Sequence, residues 1–437
     1  MKLAIIGAGI SGLYAAHRLH AGYDMHVFEA GSWPGGHSHT IDIDLDGQRI
    51  PVDTGFIVFN ERNYPLYSAL LRKLGVASQA ADMSFSFRCG HSNLEYRGDA
   101  TFDAIFAQRR NMLRPSFYRM IADILRFNSA ADQLVASPPG LSLGDWLGAQ
   151  GFGGPVVHDY LLPMASAIWS AEPDHILEFP ACHFGHFFRN HGLLQVGNRP
   201  QWMTVCGGSR QYVRALIEPF HHRVHLDTPV EWVERHPDRV RVKAAGSEAA
   251  DFDQVIFACH SDQALRLLRD PTPAEVAILG AITYKDNDIV LHTDARLLPK
   301  RQRAWASWNY HRHVKGSRHG VSVTYNMTRL QSLPTDTQVL VTLNGHNAMS
   351  PDTILYQTRY AHPQFTIDSV AAQRRREEIS GHHRSWYCGA YWGYGFHEDG
   401  VRSAETLCDI LDARLGRTAT STKKGARDAQ LHLSGTG

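Results

Sequence analysis

The chain has 437 residues, of which 43% are hydrophobic and 20% charged, with a formal net charge of +1 and 26 histidines spread along its length. That length suits two domains, each able to bury a core, and the balanced charge without a basic stripe excludes nucleic acid as a partner. Six cysteines without a CxxC pair, an opening directly on a strand without a signal peptide, and the lack of an apolar run of about eighteen residues predict a reduced, cytoplasmic protein with no spanning helix; attachment to a membrane surface stays open.

Leu3, Ala4, Ile5 and Ile6 form an apolar run without alternation, the pattern of a strand buried on both faces of a parallel sheet. Gly7-x-Gly9-x-x-Gly12 follows at once, and a helix begins at Ser11. The first glycine permits a tight turn, the second lets backbone approach a pyrophosphate, and the third lets the helix pack on the strand. The helix N-terminus then points unpaired N–H groups at the phosphates. A second strand, Met25 to Phe28, ends in Glu29, twenty residues after Gly9. A carboxylate there can accept from both hydroxyls of an adenosine ribose, and no neighbouring arginine waits for a 2′-phosphate. Together these features predict a dinucleotide clamp.

Thr40 to Leu45 and Ile50 to Val52 read as a hairpin around Asp46-Gly47, and Asn63 to Leu74 as an amphipathic helix stopped by Gly75. From Ala80 to Pro200 the pattern becomes helical and aromatic-rich, with Phe117, Ile121, Ile124 and Leu125 on one face. Trp169 with Ser170, and Phe184, Phe187, Phe188 and His191, read either as core or as the apolar wall of a cavity. His183, His186 and His191 lack carboxylate partners at ligand spacing, so they read as ordinary hydrogen-bonded histidines and no metal is expected. Gly207-Gly208-Ser209 begins a helix, Thr228-Pro229-Val230 leads a ribbon through Val240 and Val242, and Asp253 to Ala258 is another buried strand. Strands near Asp288 to His292, Ala304 to Tyr310, Gly320 to Asn326 and Gln338 to Leu343 predict an antiparallel sheet. A last helix is expected from Val401 to Leu415, and the polar tail beyond it reads as disordered.

Four stretches, in chain order, carry a family resemblance: Glu29 with Gly35-Gly36-His37, Asp53-Thr54-Gly55-Phe56, Gly207-Gly208-Ser209, and Gly389-Ala390 followed by Gly395-Phe396-His397-Glu398-Asp399-Gly400. They resemble the FAD-dependent superfamily of flavin amine oxidases, protoporphyrinogen oxidases and phytoene desaturases, and most of all a bacterial group of predicted NAD/FAD-binding proteins associated with modification of unsaturated fatty acyl phospholipids. The resemblance implies an α/β fold: a Rossmann-like, glutathione-reductase-like FAD-binding domain with a parallel sheet, interrupted by an inserted mixed α+β substrate domain. Its expected boundaries are 1–79, 201–270 and 376–416 for the FAD-binding parts, 80–200 (helical) and 271–375 (antiparallel sheet) for the substrate parts, and 417–437 for the tail.

The cofactor implied is FAD, non-covalent because no cysteine stands where covalent-flavin members have theirs. Its implied contacts are Gly7, Gly9, Ser11, Gly12, Glu29, Ala30, Gly35, Gly36, His37, Gly55, Phe56, Val230, Gly389, Gly395, Phe396, His397 and Val401. His37 replaces the usual arginine after the glycine pair. The lysine that amine oxidases hold near the flavin aligns with Asn287, with Lys285 two residues away, and these two with His397 are the catalytic candidates. Trp169, Phe187, Trp308, Tyr325, Tyr391 and Phe396 are the candidate substrate walls. The implied activity is hydride abstraction from an apolar substrate, an unsaturated fatty acyl chain or acyl lipid, to give a new double bond. A flavin amine oxidase producing hydrogen peroxide, an FAD-dependent double-bond isomerase, and a flavin-bound protein without turnover are the alternatives. The expected setting is cytoplasmic, with contact to the inner membrane face open.

Overall fold

The computed structural model describes residues 1–98, 101–194, 200–313, 321–345 and 349–414. Lys2–Ile6 forms the centre of a five-stranded sheet in the order Ser385–Tyr387, Gln254–Phe257, Lys2–Ile6, Asp24–Phe28 and Val224–His225, with every pairing parallel. Alternate residues of the central strand feed different cores, as the pleat requires. Leu3 and Ile5 pack with the helices Ile10–Leu19, Pro65–Leu74, Arg210–Ile217 and His397–Arg414. Ala4 and Ile6 pack with the antiparallel strands Val230–Arg235, Val240–Ala244 and Ala250–Phe252 and with helix Pro273–Gly280. The expected α/β class with a Rossmann-like parallel sheet is therefore present.

A seven-stranded mixed sheet forms the floor of the second half, in the order Ile354–Gln364, Thr283–His292, Leu340–Leu343, Val321–Asn326, Trp308–Arg312, Phe85–Cys89 and Leu94–Arg97. The last two strands correct the purely helical reading of 80–200, since Phe85–Cys89 pairs in parallel with Trp308–Arg312 and ties the early insertion to the later one. Strands of five and four residues are too short for alternation to separate them from loop. The helices that follow, chiefly Pro115–Ser129, Leu162–Trp169 and Ala181–Asn190, lie over this sheet around one aromatic-rich core.

Local signals hold in several places. Asp46 (φ 51°) and Gly47 (φ 73°) are both left-handed in the two-residue turn that pairs Leu45 with Gln48. Gly75 ends helix Pro65–Leu74 at φ 67°. The last helix starts at His397, four residues before the expected Val401, so Glu398 and Asp399 occupy its first turn. Residues 417–437, expected to be disordered, lie outside the described residues. No helix among the described residues is long and apolar enough to cross a membrane.

Candidate active site

A cavity of about 1290 Å³ runs from the glycine turns at the end of the parallel sheet, past Tyr394–His397, to helix Pro115–Ser129. It exceeds the roughly 300–1000 Å³ of a site for one small ligand.

Its nucleotide end is built from backbone. Gly7 turns at φ 105°, and a Cβ there would lie 2.9 Å from the Ala258 carbonyl carbon. Gly12 carries the helix against the strand, since its Cβ would lie 2.0 Å from the Gly7 carbonyl oxygen. Gly9, by contrast, faces open space within 4 Å. The Gly35-Gly36 turn closes over it: Gly35 donates its N–H to the Ala8 carbonyl at 2.7 Å and forms a bridge with Gly9. Helix Ile10–Leu19 has no capping side chain and no acid in its first turn, which leaves its N-terminal donors to a ligand. Glu29 accepts from the N–H groups of Ala8 at 2.7 Å and Gly31 at 2.8 Å, so its carboxylate is fixed at the cavity edge with lone pairs to spare. Nε2 of His37 is buried on this lining without a hydrogen-bond partner among the described residues. Burial, with His362, His260 and His397 nearby, holds His37 well below the ordinary histidine range, so its ring is neutral. A glycine cradle, an uncapped helix start, a placed carboxylate and an orphaned buried nitrogen together fit FAD.

Around the centre of the cavity the side chains are interlocked. His397 stacks on Phe56 with centroids 3.5 Å apart, and its Nε2 is engaged by Ser38 Oγ at 2.9 Å and Tyr212 OH at 3.2 Å. Burial lowers its pKa to about 3. A nitrogen tied into the protein in this way positions the cavity floor and does not serve as a general base. Asp399 accepts from the N–H groups of Tyr394 and Phe396, both at 3.0 Å, and so shapes the loop before the last helix; burial pushes its carboxyl up to about 6. Asp53 is likewise removed from the lining. It holds Thr40 Oγ1 at 2.6 Å and both the N–H and Oγ of Ser209, anchoring the Gly207-Gly208-Ser209 turn to the hairpin.

Of the expected cofactor contacts, Gly7, Gly9, Ser11, Glu29, Ala30, Gly35, Gly36, His37, Gly55, Phe56, Val230, Gly389, Gly395, Phe396 and His397 line the cavity. Gly12 and Val401 do not: Gly12 serves the strand–helix contact, and Val401 is fully buried in the core beneath. All six expected wall residues, Trp169, Phe187, Trp308, Tyr325, Tyr391 and Phe396, line the cavity. Phe187 bridges Trp169 (4.6 Å) and Phe396 (5.1 Å), while Trp308 meets Tyr325 edge-on at 5.1 Å.

Lys285 and Asn287 are corrected. On strand Thr283–His292, Tyr284, Asp286 and Ile289 line the cavity and Lys285 and Asn287 do not. Lys285 is ion-paired to Glu172. Asn287, fully buried, donates to Nδ1 of His362 at 2.9 Å and accepts from Asn344 at 2.7 Å. His183 packs between Phe365 and Tyr394, and no group of metal-ligating side chains forms among the described residues.

Two contributors escaped the sequence. Strand Ile354–Gln364 brings Tyr360 and His362 to the lining; Tyr360 OH joins Thr54 Oγ1 at 2.7 Å and His39 Nδ1 at 3.0 Å. Helix Pro115–Ser129 supplies Phe117, Met120, Ile121, Ile124 and Leu125. Its periodicity was visible, but an apolar face reads the same against a core or a cavity.

A model of the family described as flavin containing amine oxidoreductase matches residues 10–386. AofH of Mycobacterium tuberculosis, named as a flavin-containing monoamine oxidase, is 25% identical over 268 residues, covering 57% of this chain and 55% of AofH. The chain thus matches about half the length of the curated relatives. Cyclohexylamine oxidase from Brevibacterium oxydans superposes with a TM-score of 0.68 at 17% identity, over 95% of this chain and 99% of that one. The CLA-producing fatty acid isomerase from P. acnes superposes with a TM-score of 0.67 at 15% identity, over 94% and 98%. At such identities the likeness is one of fold.

Proposed function

The chain belongs to the family of flavin-containing amine oxidoreductases, and on that premise we propose that it is an FAD-dependent oxidoreductase that removes hydrogen from an unsaturated fatty acyl chain. When bound, FAD supplies the two-electron acceptor. One carbon of the chain would pass a hydride to the flavin and its neighbour would release a proton to solvent, which leaves a further double bond.

The observation that carries this reading is the chemistry of the cavity arm between Phe396 and helix Pro115–Ser129. The carboxylates in the described lining are Glu29 and Asp286, and both lie toward the nucleotide end, the second beside His260. The arm itself offers Trp169, Phe187, Trp308, Tyr325, Ile289 and the helix's own Phe117, Met120 and Ile124, without a carboxylate or a lysine. His191, on its wall, is held near pKa 4 by burial and is neutral at pH 7. An ammonium there would stand without a counter-charge, at a cost of several kcal/mol. Each methylene buried instead gains about 0.8 kcal/mol. The aromatic walls exclude water and hold the chain extended toward Phe396, which turns binding energy into orientation.

The fold is shared by amine oxidases and a fatty acid isomerase alike, so substrate choice rests on the cavity. The test is anaerobic flavin bleaching of the holoprotein with unsaturated phospholipids, free fatty acids of increasing length, and a panel of amines. Acyl lipids should bleach the flavin, with a rate at subsaturating concentration that rises with chain length and then levels off. Ready reduction by short amines with no reduction by any acyl lipid would make the chain an amine oxidase. A shifted double bond without net consumption of oxidant would make it an isomerase.

A further inference from the structure

We propose that the surface formed by residues 102–125 docks on an anionic lipid bilayer, and that the cavity opens onto that bilayer beside Leu125. The delivery of acyl chains through this opening rests on the function proposed above; the docking itself does not.

Large apolar side chains are exposed here in a way they are not elsewhere. Among the described residues, Phe102, Met112, Leu113, Tyr118 and Leu125 are more than a third exposed, Leu113 at 86%, whereas Met1, Val276, Leu355 and Ile410 are scattered. The five form one surface. Phe102 meets Phe106 at 4.9 Å, Phe106 meets Tyr118 at 6.1 Å, and Tyr118 OH donates to the Met112 carbonyl at 3.1 Å. Tyr118 and Leu125, seven residues apart on one helix, share a face. A contiguous exposed apolar patch of this kind marks an interaction site.

Charge identifies the partner. The stretch carries Arg109, Arg110, Arg114, Arg119 and Arg126 against Asp103 and Asp123. Arg109 pairs with Asp103, and Arg126 with Asp123 at 3.2 Å. Arg110 and Arg114 donate only to the backbone carbonyls of Asn93 and Ser92, and Arg119 is exposed; none of the three meets a carboxylate among the described residues. Apolar side chains interleaved with unneutralised arginines match the boundary between acyl chains and anionic headgroups. A second copy of the chain is a poor fit, because a two-fold contact would set the same arginines against each other.

The patch is continuous with the cavity. Ile121, Ile124, Leu125 and Asn128 of the same helix line the cavity, and Leu125 is at once 56% exposed and part of the lining, which marks where it reaches the surface. A lipid chain leaving a bilayer at this helix would enter the arm without crossing water.

The experiment is flotation of the holoprotein with vesicles of phosphatidylcholine alone and of phosphatidylcholine with phosphatidylglycerol. The protein should float with the anionic vesicles, less so at high salt. Arg110→Glu combined with Arg119→Glu should lower partitioning by about fivefold or more for each arginine. Leu113→Glu should abolish it and Leu113→Trp strengthen it, with flavin content and melting temperature as controls for folding. Equal partitioning of all four proteins, or no preference for anionic vesicles, would overturn the proposal. So would Leu113→Glu splitting a dimer in the absence of vesicles. Reduction by a short-chain acyl lipid below its micelle concentration should be equal in wild type and Leu113→Glu. Vesicle binding without reduction by any acyl lipid would leave the docking standing and remove the substrate; reduction without vesicle binding would do the reverse.

Discussion

Gly9 and Gly12 belong to the same turn, yet a methyl group at each should act in opposite ways. At Gly9 the backbone φ of −73° accepts any residue, and an added Cβ meets nothing within 4 Å. Alanine there restricts the unfolded chain, a gain, and is a poorer helix N-cap than glycine, a loss; the two offset to within about 1 kcal/mol. The apoprotein should therefore melt close to wild type. At Gly12 the Cβ would stand 2.0 Å from the Gly7 carbonyl oxygen and 3.1 Å from the Ala258 Cβ. Neither neighbour can retreat, because one is backbone and the other sits just beyond the strand Gln254–Phe257. Overpacking of this kind costs at least about 1–3 kcal/mol, and Gly12→Ala should lower the melting temperature of apo- and holoprotein together.

The contrast appears when FAD is added. If the open space at Gly9 is where the pyrophosphate approaches backbone, the methyl of Gly9→Ala costs about 1–3 kcal/mol of affinity, a rise in FAD Kd of about 5- to 150-fold. The assay is a thermal melt of flavin-stripped protein beside an FAD titration followed by flavin fluorescence. Wild-type FAD affinity in Gly9→Ala would place the pyrophosphate elsewhere. A marked loss of apoprotein stability in the same variant would mean that the space at Gly9 is not open.

Glu29→Ala removes the acceptor of two backbone N–H groups, and with it any bond to the FAD ribose, at about 1.5–3 kcal/mol per bond to a charged group before solvent compensation, so the FAD Kd should rise; an unchanged FAD Kd would confine the carboxylate to supporting the turn. Ile124→Trp narrows the far arm of the cavity, so flavin reduction should fall for long acyl chains and persist for short ones, and a uniform fall would refute the tunnel geometry. His292 is fully buried between Thr342 Oγ1 and the Asp294 N–H and is held at about 4 against an ordinary 6.5. The native state thus binds fewer protons than the unfolded chain between those values, so this group's contribution is intact above pH 6.5 and is lost, up to about 3 kcal/mol, as pH falls toward 4. His292→Gln should flatten the pH dependence of the melting temperature between pH 7 and 5, and an unaltered slope would assign it to other histidines. Asn287→Ala leaves Nδ1 of His362 without its donor, which should mix the tautomers seen in the histidine nitrogen NMR signals; an unchanged spectrum would show that something else fixes the ring.

The nucleotide half of the site was legible because its chemistry is local. A glycine spacing, a strand before, a helix after and an acid at a set distance fix backbone geometry within a few dozen residues, and the lining from Gly7 to His37 follows from them. The six aromatic walls were legible by type and by resemblance. Strands Phe85–Cys89 and Ile354–Gln364 were not, because their partners lie far away in the chain: Trp308 pairs with Phe85, and Asn287 with Tyr360. Pairing across such distances is a tertiary choice, and short strands leave little periodic trace of it. The exposed face of helix Pro115–Ser129 was hidden for the opposite reason, since its inner face already accounted for the period.

Asn287 shows how side-chain partners decide what a strand position can do. Aligned with the family's lysine, it would stand at the flavin; in the structure its amide is held by its neighbours instead. Asn344 Nδ2 donates to Asn287 Oδ1, which turns Asn287 Nδ2 toward His362 Nδ1. That bond makes Nδ1 an acceptor, so the proton of His362, kept neutral at about pKa 4 by burial, resides on Nε2. Lys285 meanwhile spends its charge on Glu172 at the surface. The ammonium group that amine oxidases keep near the flavin therefore has no counterpart from this strand, and His362 reaches the lining only as a neutral donor. His37, His39, His191 and His397 are likewise held below the ordinary range by burial. A cavity lined by a glycine cradle and neutral histidines at its nucleotide end and mainly by apolar side chains, with Arg97 among them, at the other suits a pyrophosphate held by N–H groups and a chain held by methylenes. Among the described residues, the arm beyond Phe396 offers no carboxylate to receive an ammonium and no lysine to order a water.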